Sequence, residues 1–232
     1  MFILFDLDDT LYDLKQPFEK AINDVFPVIE IDNNQLFYYF RKYSDDKFDS
    51  TQNGEMLIED MHIYRIKEAL NIYQIDISNE ISIKFQKTYE KYQNEIRLTK
   101  EIRNILDYCY SHPEIQIGII TNGEKKRQWN KIKTLGLLRW FSEERIFISG
   151  EIGYSKPNKK IFDFVGFKLK LIKNETYFIG DSYNNDVVGS YNAGWNAIWI
   201  NKRHLEIPKN LNTSKKTIYG DKELLEYIKD LY

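Results

Sequence analysis

Apolar residues follow two habits along this chain: short runs, and longer stretches in which they recur three and four positions apart. The runs occupy residues 2–5, 115–120, 145–148, 177–179 and 197–200. The first four end on, or just before, polar residues with chemical potential: Asp6, Thr121, Ser149-Gly150 and Gly180-Asp181. Short apolar runs bounded by turn residues predict strands buried on both faces of a parallel sheet. Between the runs lie helical periods. Ile102, Ile105, Leu106 and Cys109 form one stripe; Ile161, Phe162, Val165 and Leu169 form another, behind Pro157 and a potential Asn158 cap. Leu224, Leu225, Ile228 and Leu231 give a closing helix behind Asp221. Alternation of strand and helix predicts an α/β fold, a Rossmann-like parallel sheet core of about five strands flanked by helices. Ligands of such sheets sit outside the carboxyl ends of the strands, where these polar residues fall.

Residues 15–98 read differently, with helical periods throughout: Phe18, Ile22, Val25 and Ile29; Ile63, Ile66, Leu70 and Tyr73; then Ile81, Phe85, Tyr89, Tyr92 and Ile96. They predict an inserted α-helical subdomain at the active end of the sheet, with residues 1–14 and 99–232 forming the core. Pro27 should keep the first helix short. The cluster Phe37-Tyr38-Tyr39-Phe40 reads as helix-packing core rather than a ligand cage.

Composition narrows the classes. Lys and Arg number 33 against 35 Asp and Glu, a formal net charge of −2, so the basic excess of a nucleic-acid polymer binder is missing. The single cysteine, Cys109, cannot form an internal disulfide, which fits a cytoplasmic location. His62, His112 and His204 lack zinc-type spacing. No apolar run approaches the ~20 residues that span a bilayer, so no membrane association is expected. The opening run has no basic residue before Asp6 and reads as a strand rather than a leader.

Four segments carry candidate chemistry. In Asp6-Leu7-Asp8-Asp9-Thr10, residues i and i+2 leaving a strand point the same way, so Asp6 and Asp8 can face one site. Close carboxylates repel unless a proton or cation sits between them, and Mg2+, a hard ion that prefers oxygen, is one solution. A polar loop with an N-cap aspartate is the plainer one. Thr121-Asn122-Gly123, followed by a helix from Glu124, can hold an anion or simply cap that helix. In Ser155-Lys156-Pro157 the proline disfavours a helical Lys156, holding it in an extended loop to meet a phosphate or water. Gly180-Asp181, with Asp186 five residues on, adds two carboxylates; Asp186 can equally be a helix-starting charge.

The order of these segments at successive strand ends resembles the haloacid dehalogenase superfamily of hydrolases, over the whole chain. Asp6, Asp8 and Thr10 fit its first motif, Thr121 the second, Lys156 the third, and Asp181 with Asp186 the fourth. The insert is similar to the family's helical type 1 cap. Residues 117–123 and 155–162 resemble the branch that includes pyrimidine 5′-nucleotidases.

The resemblance implies a Mg2+-dependent phosphomonoesterase acting on a small-molecule phosphate ester, such as a nucleoside 5′-monophosphate. Asp6 would be the nucleophile that forms an aspartyl-phosphate. Asp8 would act as acid and then base, with its pKa raised in a crowded carboxylate pocket. The Asp6 carboxylate, the Asp8 backbone carbonyl and Asp181 would hold Mg2+, with Asp186 in the outer shell or orienting Lys156. Thr121, Asn122, Gly123 and Lys156 would surround the phosphoryl oxygens. Residues 49–55, Asn53 among them, are a candidate specificity loop or a plain helix connection. The family's dehalogenases lack the second aspartate, which this chain has in Asp8. Alternatives are a sugar phosphomutase, a sugar or organic-acid phosphatase, and a binding protein that kept the fold without the chemistry.

Overall fold

The computed structural model describes residues 1–206 and 213–231, apart from the side chains of Asp49 and Gln52. Those two side chains of the 49–55 stretch therefore lie outside the described residues. The chain runs β1 (Phe2–Phe5), then five helices, α1 (Lys15–Val25), α2 (Asn33–Asp46), α3 (Phe48–Gln52), α4 (Ile58–Asn71) and α5 (Asn79–Gln93). There follow α6 (Lys100–Ser111), β2 (Gln116–Thr121), α7 (Lys125–Thr134), β3 (Ile146–Ile148), α8 (Ser149–Ile152) and α9 (Lys159–Leu169). The chain continues with β4 (Thr176–Gly180), a π-helical turn (Tyr183–Val188), α10 (Gly189–Asn192), β5 (Asn196–Ile200), β6 (Lys216–Ile218) and α11 (Asp221–Asp230). Two compact units result, Met1–Asp13 with Arg97–Tyr232, and Leu14–Ile96.

The first unit is a six-stranded parallel sheet in the order β3-β2-β1-β4-β5-β6. β1 is central, which is why its four residues are all apolar: both faces are covered. One face carries Leu4, Ile120 and Phe178 beneath Ile161, Phe162 and Val165 of α9. On α6, Ile102, Ile105, Leu106 and Cys109 are buried as their spacing predicts, behind a Thr99 cap whose hydroxyl accepts from the Ile102 N–H (3.1 Å). Asn158 caps α9 in the same way, accepting from Lys160 N–H (3.0 Å). The sixth strand differs from expectation. β6 is three residues long, Lys-Thr-Ile, and lies at the sheet edge, where one side is open and no apolar run is required.

The second unit is helical, with α1 packed on α5 and α2 on α4. α1 ends at Val25, two residues before Pro27, whose ring and missing N–H would break it. Phe18, Phe37, Phe40, Phe85 and Tyr89 form its aromatic core, with Phe18 and Phe40 ring centres 4.8 Å apart. Phe37 and Phe40 are buried while Tyr38 is exposed, so that cluster contributes to packing. The 49–55 stretch is loop only in its second half. It begins inside α3, and the turn that follows uses Asn53, whose Oδ1 accepts from Glu55 N–H (3.1 Å).

Candidate active site

Parallel register decides which residues meet. Phe5 of β1 lies level with Ile119 of β2 and Ile179 of β4, so Asp6, Thr121 and Asp181 leave the sheet at one edge. The Asp6 N–H still donates to Ile179 O (2.9 Å), keeping it in the sheet's frame. This is the point where strand order reverses about β1, the crevice that open α/β sheets use for ligands.

Lys156 sits at the centre of a buried charge cluster. Its Nζ donates to Asp6 Oδ1 and to Asp186 Oδ1, each at 2.6 Å, and the side chain is almost fully buried. The second Asp186 oxygen accepts from Ser182 N–H (2.9 Å). Gly180 makes room for this: a Cβ there would collide with the Asp186 carboxylate. Asp6, Asp181 and Asp186 each present an oxygen within 4.8 Å of the others. Burial, reinforced by the charges of Asp186 and Asp8, outweighs the pull of Lys156 and raises the Asp6 carboxyl to about 7. Lys156 is pushed up in turn, because its two carboxylates overcome the penalty of burial. Three carboxylate oxygens grouped in this way are the donor set that a hard divalent cation fits.

A stability prediction follows from Asp6. Its folded-state pKa exceeds the unfolded value of 3.8, so the folded protein binds an extra proton between about pH 4 and 7. Stability from this group is complete below pH 3.8 and is lost as pH rises through 7. Melting curves in EDTA should therefore show wild type losing ground to Asp6→Asn across that window. Parallel pH profiles for the two proteins would contradict the raised Asp6.

Asp8 departs from the expectation of a raised pKa. Burial alone would raise it, but the Lys131 ammonium lies 2.7 and 2.8 Å from its two oxygens. With further hydrogen bonds from the Tyr12 hydroxyl and from Gln128 Nε2 (3.0 Å), it is held below the usual carboxylate range. The crowding expected to act on Asp8 acts on Asp6 instead. The Asp8 side chain is accordingly outside the Asp6–Asp181–Asp186 group, so only its backbone remains for the metal role expected of it.

Thr121 is buried at the end of β2, and its Oγ1 accepts from Gln128 Nε2 at 2.5 Å. The Asn122 side chain and the Gly123 N–H make hydrogen bonds within the protein. The Asn122 amide donates to Lys156 O (2.8 Å) and accepts from Lys156 N–H (2.9 Å), a reciprocal clamp between two loops. Gly123, at φ +140°, donates its N–H to Ser149 Oγ (2.9 Å). The Thr10 hydroxyl is buried with no hydrogen-bond partner among the described residues. Asp9, at φ +62°, is gripped through both oxygens by Arg203 (2.9 and 2.6 Å). Asn53 belongs to the helical unit and is exposed there.

Sequence reasoning missed Gln128 and Lys131. Their signal was available: they stand three apart on the helix that starts directly after Thr121-Asn122-Gly123, and so share a face.

Known proteins share sequence and fold with this chain. YjjG of Escherichia coli, a pyrimidine 5′-nucleotidase, is 36% identical over 97 residues, 41% of this chain and 42% of that one. A glyceraldehyde 3-phosphate phosphatase of Methanocaldococcus jannaschii is 25% identical over 238 residues, covering 99% and 97% of the two chains. Among solved structures, YfnB of Bacillus subtilis bound to magnesium superposes with TM-score 0.74 at 22% identity over 98% of this chain and 97% of that one. The L-2-haloacid dehalogenase of Xanthobacter autotrophicus gives 0.75 at 11% identity, over 100% and 99%. At such identities these two structures speak for the fold alone. The profile of the haloacid dehalogenase-like hydrolases matches residues 3–200. With nearly the whole sheet and its strand-end carboxylates inside that match, the chain belongs to the haloacid dehalogenase-like hydrolase family.

Proposed function

We propose that this protein is a Mg2+-dependent phosphomonoesterase that hydrolyses a small phosphate ester through an aspartyl-phosphate on Asp6. The observation that carries the reading is the division of labour between buried Asp6 and half-buried Asp8. Asp6 shares Lys156 with Asp186, whereas Asp8 has its own retinue of Lys131, Gln128 and Tyr12. A nucleophile and a separate proton carrier two residues on are what ester hydrolysis needs and what a simple halide displacement does without.

In this reading an Asp6 oxygen attacks phosphorus in line. Asp8, ionised at rest, must take up a proton against the hold of Lys131 as the ester binds, and it gives that proton to the departing ester oxygen. Its carboxylate then takes a proton from the water that releases phosphate. Lys156 and the Thr121 hydroxyl donate to the phosphoryl oxygens as charge spreads over them. Asp6, the Asp8 carbonyl and Asp181 would hold Mg2+, with Asp186 orienting Lys156; the ion supplies positive charge that keeps Asp6 ionised and offsets phosphoryl charge. The helical unit would serve as the cap, with the turn around Asn53 as its specificity element. Buried, unpaired Cys109 suits a reducing, cytoplasmic setting. No helix among the described residues is long and apolar enough to cross a membrane.

A nucleoside 5′-monophosphate is the preferred substrate in this reading, supported by the resemblance of the Thr121 and Lys156 segments to nucleotidases and by YjjG. A triose phosphate is the second candidate, since the phosphatase from M. jannaschii matches nearly end to end. The test is phosphate release from a panel of both ester types, with Mg2+ and with EDTA. Release with Mg2+, its loss in EDTA and its recovery on adding Mg2+ back are expected. Halide release from a 2-haloacid without metal, and no phosphate release, would overturn the reading.

A further inference from the structure

Helix α7 presents a pair of side chains that nothing in the motif pattern anticipates. We propose that Gln128 and Lys131 are positioning residues that aim the Asp8 carboxylate, with Gln128 joining it to Thr121; this rests on the phosphatase reading of the site.

The contacts form one connected network. Lys131 Nζ contacts both Asp8 oxygens, at 2.7 and 2.8 Å, so the carboxylate cannot rotate without losing one of them. Gln128 is buried, and its Nε2 lies 3.0 Å from Asp8 Oδ2 and 2.5 Å from Thr121 Oγ1. An amide nitrogen has two hydrogens, so one goes to each acceptor. The orientation of the amide is fixed by chemistry: turned over, its oxygen would face an ionised carboxylate, which only accepts. Because Thr121 Oγ1 receives a hydrogen here, its own hydrogen remains to be given elsewhere, and a phosphoryl oxygen is the acceptor the site would bring. Gly123 leaves the space for Gln128, since a Cβ there would stand 3.1 Å from Gln128 Cγ. The Tyr12 hydroxyl closes the network on Asp8 Oδ1.

Neither Gln128 nor Lys131 is a catalytic residue. Lys131 keeps its protons throughout; the proton that moves belongs to Asp8, first to the leaving oxygen and then back from water. A misaimed Asp8 therefore costs most when the leaving group is poor. Good leaving groups depart without protonation.

The experiment compares a simple alkyl phosphate with 2,4-dinitrophenyl phosphate in the full-length protein with Mg2+. For Lys131→Met, kcat/KM, which reads the first transfer and not the hydrolysis of the intermediate common to both esters, should fall about 100-fold on the alkyl ester and by less than about 10-fold on the aryl ester. Lys131→Arg, which can also grip two carboxylate oxygens, should recover most of the alkyl activity. Gln128→Ala should lower both rates, because Thr121 loses its partner as well. Equal losses on the two esters in Lys131→Met, or none, would overturn the proposal. A crystal structure of Lys131→Met supplies an arm independent of activity. A rotated Asp8 supports the proposal, and an unmoved Asp8 carboxylate overturns it. Wild-type inactivity on both esters would instead count against the phosphatase reading, leaving the crystal to decide the role of Lys131.

Discussion

Asp6→Asn is expected to lower turnover by about 10^4-fold or more, while the protein melts at the same temperature as wild type or higher. The two halves of that result come from one fact. Asp6 is buried with Asp186 and Asp8 nearby and only Lys156 between it and Asp186, so its charge is held at a cost that its own raised pKa records. An amide keeps the shape and can still accept from Lys156 Nζ. It carries no charge to repel the other carboxylates, and it is too weak a nucleophile to attack phosphorus. Phosphate release and thermal melting on the same preparation test both halves. Retained activity would remove Asp6 as nucleophile. A large fall in melting temperature would mean that the Asp6–Lys156 pair stabilises the fold, contrary to the charge count.

Lys156→Met is expected to act in the opposite direction on stability. It removes the ammonium and leaves Asp6 and Asp186 buried without it, a change that typically costs ~3 kcal/mol or more in metal-free protein. The cost should grow from pH 6 to pH 8. Without Lys156 the Asp6 pKa rises further, so the variant goes on losing stability with pH after wild type, titrated through about 7, has levelled off. Added Mg2+ should restore part of the loss, since a cation can take up the freed negative charge. Activity should fall about 10^3-fold, the scale for losing one donor to a developing phosphoryl charge. Urea unfolding in EDTA and in Mg2+ reads the stability. A variant as stable as wild type in EDTA at pH 8 would contradict the central place given to Lys156.

Much of the sheet and the order of its strand-end residues is legible in the sequence alone, and the reason is local. Phe2–Phe5, the 115–120 run and the 177–179 run each need burial on both faces, and each is followed at once by its polar residue, so strand and site residue are read together. What escaped depends on rotation and register. Whether Asn122 faces a ligand or the Lys156 peptide is set by how two loops 34 residues apart meet. The direction of the Asp8 shift is set by which face of α7 turns inward, and the 125–134 segment is so rich in lysine that Lys131 reads as one solvated charge among several. β6 escaped for another reason, since an edge strand of three residues carries no run to recognise.

The central position of β1 has a consequence for how the chain is made. It precedes the other five strands of its sheet in the chain, yet its partners begin only at Gln116 and Thr176. On a ribosome an apolar strand with two open edges must wait until those partners emerge. The helical unit, Leu14–Ile96, is what emerges in that interval. Its helices lie within one continuous segment, the kind of topology that closes fast. All of the helical unit is therefore available to fold before β1 meets its first partner, and the carboxylate–lysine cluster waits for β4 and the turn after it to supply Asp181 and Asp186.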